Sequence, residues 1–97
     1  MTEPREARLK RMTMRSWRRG TKEMDLILGP FAVSELGAMA PDALDLYDTL
    51  LAENDQDLYP WITGTLPPPA RFAALLAEIS AFARNRLAGA RGGTGSA

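Results

Sequence analysis

The sequence contains neither cysteine nor histidine. Without cysteine the chain cannot form a disulfide framework, a thiolate metal site or a thiol nucleophile. Without histidine it lacks the commonest zinc ligand and the commonest general base. The remaining carboxylates, hydroxyls and arginines form no recognisable pair of nucleophile and base. We therefore expect no catalytic residues, no metal site and no enzymatic activity of its own.

Long apolar runs are also missing. No segment approaches the ~20 apolar residues that are needed to cross a bilayer. The basic N-terminal segment lacks the continuous apolar stretch of a signal peptide, and it carries Glu3 and Glu6, acids that transit peptides avoid. These features predict a cytoplasmic protein with no membrane partner.

Basic residues are absent from residues 23–62, and this segment holds nine acids. Residues 1–22 hold eight Lys/Arg and two acids, whereas residues 63–97 hold four arginines and one acid. The formal net charge of zero therefore combines segment charges of +6, −9 and +3. A chain polarised in this way suits docking on another macromolecule.

What the sequence does contain is helical periodicity along nearly its whole length of 97 residues. Residues 4–17 predict a basic amphipathic helix, and Gly20 separates it from a second helix for which Thr21 is a suitable N-cap. Gly29-Pro30 predicts a kink or break within the second helix. The third helix is expected to begin at Pro41. Its apolar stripe comprises Leu44, Tyr47, Leu50 and Leu51, and Asp42, Asp45 and Asp48 opposite form a solvated face.

A short fourth helix is predicted with Asp57 as its cap and Gly64 as its stop. Residues 67–69 form a proline spacer, and a final helix ends near Gly89. We expect an all-α fold, a small bundle of four to five helices in a monomer. Residues 1–88 form the single domain, and residues 89–97 form a flexible, glycine-rich tail.

The segment Arg19-Gly20-x-x-Glu23, preceded by Arg18 and followed by Asp25, resembles the Arg-Gly-x-x-Glu motif of the succinate dehydrogenase FAD assembly factors. Further similarities are Pro30-Phe31, Leu50-Leu51, and residues 55–61, which resemble an Asp-x-Asp-Leu-aromatic-x-Trp signature. The resemblance spans roughly residues 8–82. Pro60 departs from the signature and puts the geometry of the fourth helix in doubt.

The resemblance implies a chaperone-like assembly factor that binds the flavoprotein subunit of succinate dehydrogenase and promotes covalent attachment of FAD to it. The related fumarate reductase flavoprotein is a further expected partner. No cofactor is expected to be bound stably, because FAD is delivered to or attached on the partner. The partner-binding residues implied are Trp17, Arg18, Arg19, Gly20, Glu23 and Asp25.

The residue chemistry of this motif is compatible with docking. A glycine corner lets the main chain approach a partner closely, and the two arginines can bind carboxylates or the pyrophosphate of FAD. Glu23 can hold an arginine or stabilise the corner itself. We expect the corner to be exposed, so that substitution of Arg19, Gly20 or Glu23 leaves folding nearly intact.

Each of these features has a simpler interpretation. Arg19 and Glu23 can form a helix-corner ion pair, and Trp17 can be a core residue instead of a partner-facing anchor. Tyr59, Trp61 and Phe31 fall on apolar stripes and are predicted to lie in the core. The carboxylates of Asp55 and Asp57 are interpreted as helix caps.

Two other functions remain open. The basic first helix can bind nucleic acid, as in a regulatory or toxin-neutralising protein. The nine acids of the middle segment and the sequence pI near 6.2 oppose this hypothesis, and we expect no nucleic-acid partner. The other possibility is an adaptor between two proteins that has no role in flavin attachment.

Overall fold

Helices account for most of the computed structural model, which describes the backbone of residues 3–95 and the side chains of residues 3–87. The elements are α1 (Arg5–Ser16), α2 (Lys22–Glu35), a 3-10 turn (Leu36–Ala38), α3 (Pro41–Leu51), α4 (Asp55–Thr63) and α5 (Ala70–Gly95). Residues 3–95 contain no strand. The predicted all-α bundle is therefore confirmed, with five α-helices in this range.

Glycine and threonine set the helix ends where the sequence predicts them. Gly20 has a φ of 104° and reverses the chain between α1 and α2. The side chain of Thr21 accepts a hydrogen bond of 3.3 Å from the Met24 amide and so caps α2. Gly64, at a φ of 85°, ends α4.

Two predictions about the helices differ from the structure: the break in α2 and the cap of α4. α2 continues through Pro30 without a break, because Leu28 and Phe31 are buried on either side of it and tertiary packing stabilises the helix. α4 begins at Asp55, and its N-cap residue is Asn54 instead of Asp57. The carboxylate of Asp57 therefore lies in the first turn, where it still interacts favourably with the helix dipole.

The last helix, α5, extends to Gly95 instead of ending near Gly89. The predicted flexible tail, residues 89–97, lies partly outside the described residues, since residues 96 and 97 are not covered. Its flexibility stays a prediction.

The core contains an aromatic cluster from α2, α3 and α5. The Phe31 ring stacks on Tyr47 of α3 at 5.8 Å between centroids and meets Phe82 of α5 edge to face at 5.6 Å. The predicted stripe of α3 is buried, as are Phe72, Leu75, Leu76 and Ile79 of α5. Three helices are therefore joined through one aromatic cluster.

Tyr47 also connects the core to α1. Its hydroxyl lies 2.6 Å from the Ser16 hydroxyl, which is fully buried and donates a hydrogen bond of 2.8 Å to the Met12 carbonyl. Burial raises the pKa of Tyr47 to about 12, and the Ser16 hydrogen bond opposes that shift. This polar pair fixes how α1 lies against α3 in an otherwise apolar core.

A row of arginines, which we call the arginine ladder, follows α1 and continues past its end. All its members donate to atoms of residues 37–55, the 3-10 turn, α3 and the start of α4. The ladder consists of Arg5, Arg8, Arg11, Arg15 and Arg19.

The ladder neutralises part of the acidic segment within the molecule. Arg11 holds both carboxylate oxygens of Asp48, at 2.8 and 3.1 Å, while Arg8 donates to Asp45 at 2.5 Å. Arg15 lies 3.6 Å from Asp48. The prediction of a solvated acidic face on α3 is therefore wrong for Asp48, whose side chain is only 27% exposed under the arginines of α1, whereas Asp42 and Asp45 are exposed as predicted.

The Arg11 hydrogen bond holds the pKa of Asp48 below its ordinary value, with further lowering from nearby arginine charges and a smaller opposing effect of burial. A carboxylate with a depressed pKa in the folded state stabilises the fold above its unfolded-state pKa of ~3.9. That contribution is lost as the pH falls through the lower, folded-state pKa.

We expect Asp48→Asn to lower the free energy of unfolding at neutral pH by about 1 kcal/mol, because three arginines lose a shared partner. The difference from wild type should disappear at a pH well below ~4, where Asp48 is protonated in both states. Urea denaturation between neutral and strongly acidic pH measures both effects. Asp42→Asn, an exposed position on the same helix, is the control, and equal pH dependence in the two variants would contradict the ladder's role.

Candidate functional site

The corner between α1 and α2, residues 17–21, carries most of the residues singled out from the sequence. Gly20 is exposed at its tip, and a Cβ built on it would meet no atom within 4 Å. Space is therefore available, but the positive φ disfavours any other residue. The main chain of the corner is open to a partner at this point.

Arg19 faces into the molecule, and the expectation of an exposed corner is wrong for this residue. Its side chain is only 9% exposed, and its Nε donates to the Asp55 carboxylate at 2.9 Å. Its terminal nitrogens donate to the carbonyls of Leu51 and Glu53. Arg19 thus caps the C-terminal end of α3 and joins it to the start of α4.

The predicted ion pair between Arg19 and Glu23 is not formed, because Asp55 takes its place. Asp25, in contrast, does stabilise the corner: its carboxylate accepts a 2.6 Å hydrogen bond from the Arg19 amide. The interpretation of Asp55 as a cap is also wrong, since its side chain makes no cap hydrogen bond and binds Arg19 instead.

Trp17 combines the two roles that the sequence left open. The side chain is 41% exposed, yet its ring lies so close to Gly29 of α2 that a Cβ at that position would overlap it. Gly29 therefore allows the indole to lie against the α2 backbone. The other part of the ring is available to a partner.

Beside the corner lies a concavity of about 350 Å³ between the first turns of α2 and α4. Its lining residues are Thr21, Glu23, Met24, Asp55, Gln56 and Tyr59. Glu23 is exposed here, and Tyr59, predicted to be in the core, is 43% exposed. Of the other two aromatic residues, Phe31 is buried and Trp61 packs partly buried against the core, as predicted.

The structure therefore places all six predicted residues around one corner, but in different roles. Trp17, Arg18, Gly20 and Glu23 are exposed, whereas Arg19 and Asp25 form internal contacts. Sequence reasoning missed that Asp55 and Tyr59 complete this surface. Asp55 lies 36 residues from Arg19, so no local spacing could have revealed the pair.

Comparison with known proteins identifies the family of this chain. Residues 10–83, which include the whole corner, match the family described as Sdh5, flavinator of succinate dehydrogenase. The chain belongs to this family.

Relatives occur in fungi and bacteria. A succinate dehydrogenase assembly factor 2, mitochondrial, of Mycosarcoma maydis is 42% identical over 72 residues, covering 74% of this chain and 30% of that protein. Its Candida glabrata counterpart is 38% identical over 81 residues, covering 78% and 53%. The FAD assembly factor SdhE of Legionella pneumophila strain Lens is 38% identical over 68 residues, covering 70% and 81%. The chain thus spans about a third to a half of the two fungal proteins.

Among the residues described, no helix is both long and apolar enough to span a membrane. In the same part of the chain, no group of acidic side chains is arranged to hold a metal ion.

Substitution of Arg19 tests whether the inward-facing motif arginine stabilises the corner, and substitution of the neighbouring Arg18 is the control. We expect Arg19→Ala to lower the free energy of unfolding by roughly 2 to 3 kcal/mol, because it leaves the mostly buried Asp55 carboxylate and two carbonyls without their donor. Arg18→Ala, at an exposed position, should change it by no more than about 0.5 kcal/mol. Urea denaturation at neutral pH measures the difference. Equal midpoints for the two variants would show that Arg19 does not stabilise the corner.

Proposed function

We propose that this protein is a non-catalytic assembly factor that docks on the flavoprotein subunit of succinate dehydrogenase. Docking promotes the covalent attachment of FAD to that subunit. The observation that carries the proposal is the exposed Gly20 corner, which lies within the part of the chain that matches the flavinator family. The names of the fungal and bacterial relatives support the same assignment.

The flavin bond is formed on the partner. This chain contains no histidine or cysteine, the usual residues of flavin attachment. It contributes by holding the flavoprotein in a conformation in which the attachment reaction takes place, so that binding energy lowers the barrier. No acid, base or nucleophile of this chain takes part in the reaction.

The surroundings of the corner favour contact with protein over contact with FAD. Arg19 is occupied by Asp55, so the two motif arginines do not form a joint pyrophosphate clamp. The concavity beside the corner exposes the carboxylate of Glu23, which is unpaired within residues 3–87 and repels phosphate. The Glu23 carboxylate and the exposed Tyr59 ring suit a cationic side chain of the partner instead. We therefore propose that FAD stays on the flavoprotein and is not bound stably by this chain.

The proposed complex contains one copy of this chain and one flavoprotein subunit. The related fumarate reductase flavoprotein is a second candidate partner, because the same corner could recognise a related surface.

The corner can be tested by adding bulk at its tip. We expect Gly20→Arg to reduce covalent flavin on the succinate dehydrogenase flavoprotein by about tenfold or more, because the new side chain separates the two surfaces. Flavin fluorescence of the flavoprotein band in a denaturing gel measures the attachment. The matched control is Gly64→Arg, which adds the same side chain at another exposed glycine with positive φ.

A smaller loss is expected for Glu23→Ala, since it removes one exposed carboxylate from the concavity, with the exposed Glu78→Ala as its control. Wild-type flavin attachment in both corner variants would contradict the docking assignment. Loss of attachment in Gly64→Arg to the same degree as in Gly20→Arg would trace the effect to backbone strain.

A further inference from the structure

The outward face of α1 carries a groove that the corner motif does not include. It has a volume of about 530 Å³ and is lined by Ala7, Lys10, Arg11, Met14, Arg15, Arg18 and Arg19. None of these residues is acidic. The face lies opposite the buried side of the helix, on which Met12 and Ser16 pack into the molecule. We call it the α1 groove.

The positive charge of the α1 groove is only partly neutralised within the molecule. Arg11 is shared between Glu3 and Asp48, and Arg19 is held by Asp55. Within residues 3–87, Lys10 and Arg18 have no acidic group within 4.0 Å. Arg15 is 43% exposed and reaches Asp48 only at 3.6 Å. The groove therefore offers cations to a partner at both ends and along one side.

The floor of the groove is apolar. It consists of Ala7 and of Met14, a flexible side chain that is 44% exposed. An exposed apolar strip between cationic rims matches a partner that carries apolar and acidic side chains at helical spacing.

The length of the groove selects against small anions. Lys10 lies in α1 and Arg18 lies two residues beyond its end, and the residues from Lys10 to Ser16 alone span about 9 Å of helix at 1.5 Å per residue. A single carboxylate or phosphate cannot contact both. Nucleic acid fits less well than protein, because no aromatic side chain lines the groove for base stacking and a phosphate backbone would leave Met14 uncovered.

We propose that the α1 groove binds an acidic amphipathic segment of the flavoprotein, with apolar side chains over Ala7 and Met14 and carboxylates at Lys10, Arg15 and Arg18. This inference rests on the proposed function. It adds a second contact surface that continues from the Gly20 corner along α1 through Arg18. The corner sets the position of the flavoprotein, and the groove supplies long-range attraction and a specific segment to bind.

The test compares two double charge reversals of equal net charge. Lys10→Glu/Arg18→Glu changes the groove, and Arg84→Glu/Arg86→Glu changes exposed arginines on α5. Binding to the succinate dehydrogenase flavoprotein of the same organism is measured by biolayer interferometry between about 0.05 and 0.5 M salt. We expect the groove variant to weaken binding by about tenfold or more at low salt, mainly through the association rate, and the α5 variant by less than about threefold.

Met14→Ala should weaken binding by a few fold at all salt concentrations, because it removes apolar contact and no charge. Hydrogen exchange of the flavoprotein should show one protected segment of net negative charge that loses its protection in the groove variant. Circular dichroism of each variant confirms that it is folded.

Three results would overturn the inference. The first is an equal loss of affinity in the two double variants, which would indicate only net-charge attraction. The second is unchanged flavoprotein binding in the groove variant while Gly20→Arg still weakens it, a result that leaves the proposed function intact. The third is that the chain binds a labelled single-stranded RNA and that the groove variant loses this RNA binding while it keeps its flavoprotein binding. Absence of flavoprotein binding by the wild-type chain would instead refute the proposed function.

Discussion

The position of α1 in the bundle depends on its contact with α3 through the arginine ladder. Five arginines at spacings of three or four residues reach the 3-10 turn, two aspartates, the end of α3 and the start of α4. Most single pairs of this kind contribute little at a surface. In this chain they share partners, as Asp48 does with three arginines, and the buried Ser16 and Tyr47 hydroxyls fix the same two helices from inside. Together these contacts set the angle and register of α1.

This contact changes the meaning of the charge distribution. In the sequence alone, the segment charges of +6 and −9 suggest charges that stay unpaired until a partner binds. In the folded chain many of those charges form ion pairs within the molecule. Among the cations of residues 3–87 that have no acidic partner, Lys10 and Arg18 line the groove on the outer side of α1. The surface open to a partner is therefore much smaller, and more specific, than the net segment charges imply.

Arg19 is a motif residue whose side chain stabilises the fold around the corner. Its side chain is nearly buried and ties the corner to the α3–α4 connection, while its amide is held by Asp25. These contacts hold in place the loop that carries Gly20, and Glu23 follows in the first turn of α2. Rigid support of this kind reduces the conformational entropy that a docking surface loses on binding. The five-residue motif thus combines an arginine that stabilises the loop, a glycine that turns the chain and an exposed carboxylate.

Local physical rules in the sequence determined most of the secondary structure. The helical periodicity, the Thr21 cap and the glycine stops at residues 20 and 64 follow from contacts within a few residues, and all are confirmed. The period of α3 predicts its apolar stripe, and the burial of that stripe is confirmed. The motif also placed the candidate site at the corner between α1 and α2, and its partner-binding role stays a prediction.

The tertiary structure decided which charges pair and which side chains are free. Arg19 pairs with a residue 36 positions away, and Arg8 and Arg11 pair with residues 37 positions away. Such partners depend on how α1 packs over α3, and no local spacing encodes that packing. For the same reason Tyr59 proved exposed and α2 continued through Pro30, because burial is set by the neighbours that the fold supplies. The sequence alone determined the helices and the corner, and packing determined the surface that the corner presents.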